Sequence, residues 1–468
     1  MSELLRTVIG TALWLNDTKT CVQDQGCHWP MNSTDDAPKN NPYLSASLYY
    51  GTPGTALFFS SLADALDSDG WRRVAKEALD HTVATLNDTM TAFGPNPGFY
   101  YGLSGIAYGL RAANVSSSDR ARYHEAAAMI EGRILSSISP FAATPGHHLW
   151  NNTDVAHGVA GTGLFLLWAS RKGEANQTQY LGALSRAASW LLDVAEGTPD
   201  GGLRWYRGVD TDGVHAGQYF PTFCCGTSGV AFFLSTLALS LDRANSGGSR
   251  LLDAAVRGAD HVMSEALWRS TADGQSELLL PHEDEGEGRD LYYLGWCGGP
   301  PGWARLFVVL WQATSDRKWL DLLAAGVRAT IQLVPPQLSM IFPLKPGAAP
   351  WANLGQCCGA AAAGTFLLRV ASSALPLAAE LKHDALTAAR SIAGSIMRRA
   401  TPAGPNGALA FPSPEEHAAP NNTTWQAGWM QGAAGMAAFL LHLYSIEAGT
   451  AGAGGRPLWP DEPDYWAA

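Results

Sequence analysis

Cys225-Gly226-Thr227-Ser228-Gly229-Val230-Ala231-Phe232-Phe233-Leu234 is one copy of the unit that decides the fold: a Gly-x-x-Gly tetrad opening an apolar run. The tetrad recurs as Gly51-Thr52-Pro53-Gly54, Gly102-Leu103-Ser104-Gly105, Gly158-Val159-Ala160-Gly161, Gly299-Pro300-Pro301-Gly302 and Gly432-Ala433-Ala434-Gly435, with a degenerate copy at Gly359-Ala360-Ala361-Ala362. Copies spaced 51 to 73 residues apart are the signature of a repeat architecture. The runs after the glycines are rich in helix formers and apolar on most sides, the pattern of helices buried on both faces. Between them, residues 71–86, 118–134 and 250–268 place apolar side chains at three- and four-residue steps, the pattern of helices with one wet face. Each unit reads as one outer and one inner helix. Seven such pairs, none with enough surface to fold alone, close most simply into an α/α toroid. The expected class is all-α, with seven helical hairpins and the Gly-x-x-Gly turns at the inner-helix N-termini.

A length of 468 residues suggests about three domains by ordinary proportion. A toroid has no internal boundary at which to divide, so the reading is an N-terminal extension over 1–42, one domain over 43–447 and a tail over 448–468. The tail is Gly/Ala-rich, with Trp459 and Trp466 expected to pack back on the barrel. Glycine at 50 residues and charged residues at 16% agree with a barrel whose inner helices see little water. The net charge of -11 opposes attraction to phosphate backbones, so nucleic acid is not an expected partner. No apolar run approaches the roughly 20 residues of a membrane span.

Two signals on compartment disagree. Eight of the 15 asparagines head N-x-Ser/Thr sequons (Asn16, Asn32, Asn87, Asn114, Asn151, Asn176, Asn421 and Asn422), which favours a secretory route. The start Met1-Ser2-Glu3-Leu4-Leu5-Arg6 does not read as a signal peptide, which favours the cytoplasm. Cys21 and Cys27 are either a local disulfide or two free thiols.

The toroid gathers seven inner-helix N-termini at one mouth, where unpaired N–H groups and positive dipole ends would suit an anionic ligand. The residues just before the first glycines differ from copy to copy: Tyr50, Tyr101, His157, Cys225, Gly298, Cys358 and Gln431. Cys297 in Trp296-Cys297-Gly298-Gly299 and the pair in Cys357-Cys358-Gly359 precede successive inner helices, so their loops lie side by side. Three thiolates from neighbouring loops suit Zn²⁺ and leave its fourth position open, as in a catalytic site.

The seven repeats, the Trp-Cys-x-Gly-x-Pro-Gly motif at 296–302 and Cys357-Cys358-Gly359 together resemble the lanthionine synthetase C-like family over nearly all of the chain. That resemblance implies Cys297, Cys357 and Cys358 as the ligands of Zn²⁺, in an all-cysteine version of the family's site. It implies addition of a thiol, from a peptide cysteine or from glutathione, to dehydroalanine or dehydrobutyrine in a dehydrated peptide or protein, forming a thioether. It also points to Asp154, four residues before Gly158, as a residue near the metal. Asp154 can equally serve as a helix N-cap. The sequence shows no dehydratase or kinase domain, so a stand-alone enzyme is expected. Other readings are a non-catalytic, zinc-containing protein that binds peptide or glutathione, and a toroidal carbohydrate-active enzyme, which would need paired carboxylates instead.

Two departures from the family pattern bear on catalysis. Cys225 stands where a His acid/base is usual, so either Cys225 takes that role, His157 substitutes, or cyclase activity is lost. Cys224-Cys225 also offers a fourth ligand that would close the site. Gly298 replaces the usual Tyr or His, which would widen the mouth or remove a substrate contact. His282-Glu283-Asp284-Glu285 reads as a solvated acidic loop. His147, His148 and His215 are expected near the mouth as substrate contacts.

Overall fold

A computed structural model describes residues 2–32, 42–94, 96–138, 152–172, 177–208, 218–241, 246–335, 338–450, 459–463 and 466. His147, His148 and His215, and the sequons at Asn151 and Asn176, lie outside these residues. The α-helices are α1 (Glu3–Thr18), α2 (Thr52–Leu66), α3 (Asp69–Ala84), α4 (Leu86–Phe93), α5 (Leu103–Ala112), α6 (Ser117–Ile138), α7 (Val159–Ser170) and α8 (Gln177–Asp193). The second half adds α9 (Thr227–Ser240), α10 (Ser246–Ser264), α11 (Pro300–Thr314), α12 (Lys318–Leu333), α13 (Ala360–Ser372), α14 (Ala379–Met397) and α15 (Ala433–Glu447).

The seven helices that open on glycine form the inner ring. α2, α5, α7, α9, α11, α13 and α15 each pack on the next, and α15 returns to α2. Outside them stand α3, α6, α8, α10, α12 and α14, each against its own inner helix, while α1 covers α15 and so completes the outer ring. The two kinds of helix differ as their patterns predict. In α7, Val159 and Leu164 to Leu167 are all buried, whereas α3 buries only the stripe Val74, Ala75, Ala78, Leu79 and Thr82. The strands form short two-stranded antiparallel pairs in the loops, hairpins except for Tyr292–Tyr293 with Ile341–Phe342, which pair across α11 and α12. One of them, Thr20–Val22 with Gly26–His28, is closed by a Cys21–Cys27 disulfide, which resolves the alternative left open by the sequence.

The second glycine of a tetrad is required by a close approach. A Cβ on Gly161 would stand 1.9 Å from the carbonyl oxygen of Val155, and one on Gly435 would stand 1.9 Å from that of Trp429. Each mouth loop thus folds back over the helix it precedes, and this overturns the expectation of unpaired N–H groups. Val159, Ala160 and Gly161 donate to the carbonyls of Asn152, Thr153 and Asp154 at 3.0, 3.1 and 3.2 Å. Ala360 and Ala361 donate in the same way to Asn353 and Leu354 at 2.9 and 3.2 Å. The loop carbonyls satisfy donors that would otherwise bind an anion.

The residue two places before each first glycine joins a closed circuit of backbone hydrogen bonds around the mouth. Tyr49 N donates to Tyr100 O (3.1 Å), Tyr100 to Ala156 (3.0 Å), Ala156 to Cys224 (3.1 Å) and Cys224 to Cys297 (3.1 Å). Cys297 then donates to Cys357 (3.1 Å), Cys357 to Met430 (2.8 Å), and Met430 back to Tyr49 (3.0 Å). All seven loops are therefore held in one register.

Candidate metal centre

Cys297 and Cys357 are members of that circuit and Cys358 is the next residue along, so the backbone frame fixes where three thiols meet. Their sulfurs all lie within 4.8 Å of one another. Cys297 Sγ is 3.4 Å from Cys358 Sγ, which is 3.3 Å from Cys357 Sγ. Hydrogen bonds from the Cys224, Cys357 and Cys358 thiols hold the Cys297 thiol well below its ordinary range, against the effect of burial. Burial, followed by its hydrogen bond to Cys297, pushes Cys357 well up. Three thiols this close together, one of them favoured toward ionisation by its sulfur neighbours, could hold a metal ion.

In the fourth loop, Cys224 is the thiol hydrogen-bonded to Cys297, and Cys225 Sγ lies 2.6 Å from Cys224 Sγ. Cys224 therefore neighbours Cys297 but stands outside the trio whose sulfurs lie within 4.8 Å of one another, and Cys225 beside it is the more exposed of the two.

Asp154 is fully buried and serves two purposes at once. Its Oδ1 accepts from the backbone N–H of His157 (2.6 Å) and of Gly158 (2.9 Å), so it caps the loop as an N-cap residue would. Its Oδ2 lies 3.2 Å from Arg207 Nε and 3.3 Å from His157 Nδ1. Burial alone would raise its pKa, but His157 and Arg207 outweigh burial and hold the carboxyl below the ordinary range. Sequence reasoning missed Arg207. It lies between repeats, on a loop that returns to accept from Thr153 N at 3.2 Å, and no periodicity marks it.

His157 stacks face to face on Tyr101, with ring centroids 4.4 Å apart, and Tyr101 stacks on Tyr49 at 4.4 Å. The Tyr49 hydroxyl accepts from Gln431 Nε2 at 3.1 Å, and the same nitrogen lies 3.8 Å from Cys358 Sγ. A continuous chain of contacts thus runs from the cysteines through Gln431, Tyr49 and Tyr101 to His157 and Asp154.

Gly298 does not widen the mouth. A Cβ there would stand 3.0 Å from Tyr293 Cβ and 3.3 Å from its Cδ2, so the Tyr293 ring fills the space a larger side chain would take. Tyr293 Oη is 2.9 Å from His417 Nδ1, and His282 meets the Tyr293 ring edge-on at 4.7 Å. The acidic loop beside them is not solvated. Asp284 is buried against His261 Nε2 at 2.8 Å, and Glu283 is buried and accepts from Gly288 N at 3.2 Å; only Glu285 faces water. Tyr293 and His417 precede their glycines by six and 15 residues, outside the tetrads that the sequence reading followed.

Toroid, mouth circuit and cysteine cluster define an α/α barrel with a sulfur-lined mouth. Residues 42–448 match the Lanthionine synthetase C-like protein family, and the chain belongs to that family. Nisin cyclase is a structural relative with a TM-score of 0.59 and 13% identity, over 91% of this chain and 94% of that one. Two further toroids align less well. They are an α-1,6-mannanase of Salegentibacter sp. HEL1_6 (TM-score 0.47, 10% identity, 95% and 99% coverage) and the unsaturated glucuronyl hydrolase of Streptcoccus agalactiae (0.45, 9%, 95% and 91%). No curated protein sequence matches the chain. Among the described residues, no helix is long and apolar enough to cross a membrane.

Proposed function

We propose that the protein adds a thiol to dehydroalanine or dehydrobutyrine residues of a peptide or protein, using Zn²⁺ held by Cys297, Cys357 and Cys358. The observation that carries this reading is the three-thiol cluster at the mouth of a toroid of this family. The residues fit the ion: tetrahedral zinc with Zn–S near 2.3 Å needs sulfurs about 3.8 Å apart, and two of the separations are 3.3 and 3.4 Å. Bound there, Zn²⁺ supplies a thiolate nucleophile at neutral pH in its open position.

The chain's own groups account for the proton. Addition to the β-carbon leaves an enolate that must be protonated. His157 is the partly exposed member of its group, with a side chain 19% accessible. Asp154 lies on its Nδ1 side, which leaves Nε2 as the nitrogen that exchanges a proton with substrate. Asp154 and Arg207 orient the ring and do not themselves reach substrate. Peptide cysteine or glutathione is the donor in this reading, and the nisin cyclase relative supports a peptide as acceptor.

The test is incubation of a dehydroalanine peptide with glutathione. Thioether adduct is expected with the metal-loaded protein, and none above background after chelation or in Cys297→Ala. One observation favours a second reading: Cys224 beside Cys297 would close the site as a fourth ligand and make it a binding or structural centre. Loaded protein that forms no adduct, with four sulfurs seen by X-ray absorption at the metal, would establish it. The Cys21–Cys27 disulfide and the exposed sequon residues Asn32, Asn87, Asn114, Asn421 and Asn422 support a secretory route. A glycosidase-induced mobility shift of the native protein would test this.

A further inference from the structure

The interior of the barrel carries two arginines where apolar side chains are the rule. Arg305 projects from α11 and Arg369 from α13, with side chains 11% and 12% accessible. Their partners come from far along the chain. Residues 459–463 run through the lumen beneath the cysteine cluster, forming no helix or strand pairing with it. Asp461 Oδ2 accepts from Tyr100 Oη at 2.9 Å and from Trp296 Nε1 at 3.0 Å, while its carbonyl accepts from Arg305 Nη1 at 2.8 Å. Glu462 lies 3.5 Å from Arg305 Nη2 and 3.7 Å from Arg369 Nε. Trp459 enters an aromatic pocket, 4.7 Å from Trp429 and 5.3 Å from Tyr108 between ring centroids.

We propose that the lumen is a receptor for an acidic, tryptophan-bearing segment, that residues 459–462 are its occupant, and that Asp461 latches the loop carrying Cys297. Three features distinguish a seated ligand from ordinary core. The donors converge on two carboxylates from the second-repeat loop, the fifth-repeat loop and two inner helices, so the donor side is built by the barrel alone. One residue contributes the aromatic anchor and the next but one the charge, as in peptide recognition. A pocket of about 40 Å³, lined by Gln356, Thr365 and Arg369 and by Trp459, Asp461 and Glu462 themselves, lies against the segment, so the segment does not fill the lumen as a core side chain would. The latch acts at one remove. Trp296 is the residue before Cys297, and its indole N–H is held by Asp461, which makes Asp461 a positioning residue for that cysteine. The inference rests on the fold and these contacts and does not depend on thiol addition.

The test uses the full chain with a specific protease site placed in the sequence Ala451-Gly452-Ala453-Gly454-Gly455. After cleavage, the fragment containing 459–462 is expected to co-elute with the barrel and to appear as a complex by native mass spectrometry. Asp461→Asn with Glu462→Gln should weaken its retention at least about tenfold, the loss expected for charged hydrogen bonds. Cys297 should be alkylated several-fold faster in that double variant. Trp296→Phe, which removes the indole donor and part of the ring packed on Tyr100 and Phe223 but leaves both carboxylates and both arginines in place, should raise Cys297 alkylation while the fragment stays bound, a split that general loosening of the barrel would not give. A fragment that separates from the cleaved wild type overturns the proposal. So does equal retention in the neutral variant, or unchanged Cys297 reactivity in Trp296→Phe. If the double variant does not fold, the cleaved wild type and Trp296→Phe decide the question by themselves.

Discussion

The two halves of the mouth share one backbone and carry opposite chemistry. Loops four to six place Cys224, Cys297 and Cys357 in the hydrogen-bonded circuit, with Cys225, Gly298 and Cys358 beside them. Loops one to three use the same positions for Tyr49, Tyr100 and Ala156, with Tyr50, Tyr101 and His157 beside them. Geometry is therefore common property and chemistry is set loop by loop. The circuit explains how this is tolerated. Its bonds are backbone to backbone, so a side chain can change from sulfur to aromatic without disturbing the register of its neighbours. The sulfur half can concentrate ligands for a metal, and the aromatic half can hold an acid and a flat surface for a substrate.

The comparison breaks most sharply if the sulfur half is disarmed. Replacing Cys357 by Ala removes both a proposed metal ligand and a donor to Cys297. Metal affinity should then fall by more than the roughly 10–100-fold that loss of an outer partner costs. Metal content after dialysis, with the sulfur-to-metal absorption of a Co²⁺-loaded sample, measures this. Far-UV circular dichroism should stay unchanged, because the circuit uses Cys357 only through its backbone.

On the aromatic half the largest expected effect is on stability. Arg207→Met leaves Asp154 as a buried carboxylate held by His157 and two backbone donors. Unfolding free energy should drop by about 3 kcal/mol, the lower end for breaking a buried pair, as read from urea denaturation. The pH dependence follows from the sign of the shift. A carboxyl held below its ordinary value contributes stability above the unfolded value of about 4, and loses it as pH falls through the folded value. Without Arg207 the folded value rises toward the unfolded one, so this contribution shrinks and acid unfolding should begin at higher pH. An acid transition that does not move would separate Asp154 from Arg207 and leave it an ordinary cap.

What the sequence made legible follows from what repeats. The glycine tetrads recur because each second glycine faces a loop carbonyl, so a steric demand met six times, with Ala362 in the degenerate copy, becomes a visible period and yields the toroid. The cysteines were legible for the same reason, since they occupy fixed places relative to those glycines. Arg207, Tyr293 and His417 were not, because they arrive from connecting segments that do not repeat from one unit to the next. The expectation of open helix N-termini failed for a related reason: the sequence shows where a helix starts and not that its loop will turn back to cap it. The seventh outer helix was hidden as well. Helix α1 stands at the opposite end of the chain from the α15 it covers, and no local pattern links them.

The steric demand itself can be tested on either half. Gly161→Ala would drive a Cβ to within 1.9 Å of the Val155 carbonyl, on the loop that carries Asp154 and His157. The loop must move, at about 1–3 kcal/mol of stability for an overpacked site. If the tetrad were only a helix-propensity feature, alanine would instead stabilise α7 by roughly 1 kcal/mol. Thermal unfolding therefore distinguishes the two by sign.

The smallest effect is expected at Gly298, on the sulfur half. Its Cβ would meet Tyr293 Cβ at 3.0 Å and Cδ2 at 3.3 Å, with Thr222 Cγ2 at 3.6 Å, all side-chain atoms and none of them backbone. The Tyr293 ring can yield by a few tenths of an ångström, so Gly298→Ala should change stability by less than about 1 kcal/mol. The same shift carries the Tyr293 hydroxyl away from His417 Nδ1, now 2.9 Å distant. Activity should then respond more than stability does, and Tyr293→Phe, which keeps the ring and removes the hydroxyl, should reproduce the change in rate without the change in packing. Equal rates for Tyr293→Phe and wild type would show that the ring only fills the space beside Gly298 and that its hydroxyl has no part in the reaction.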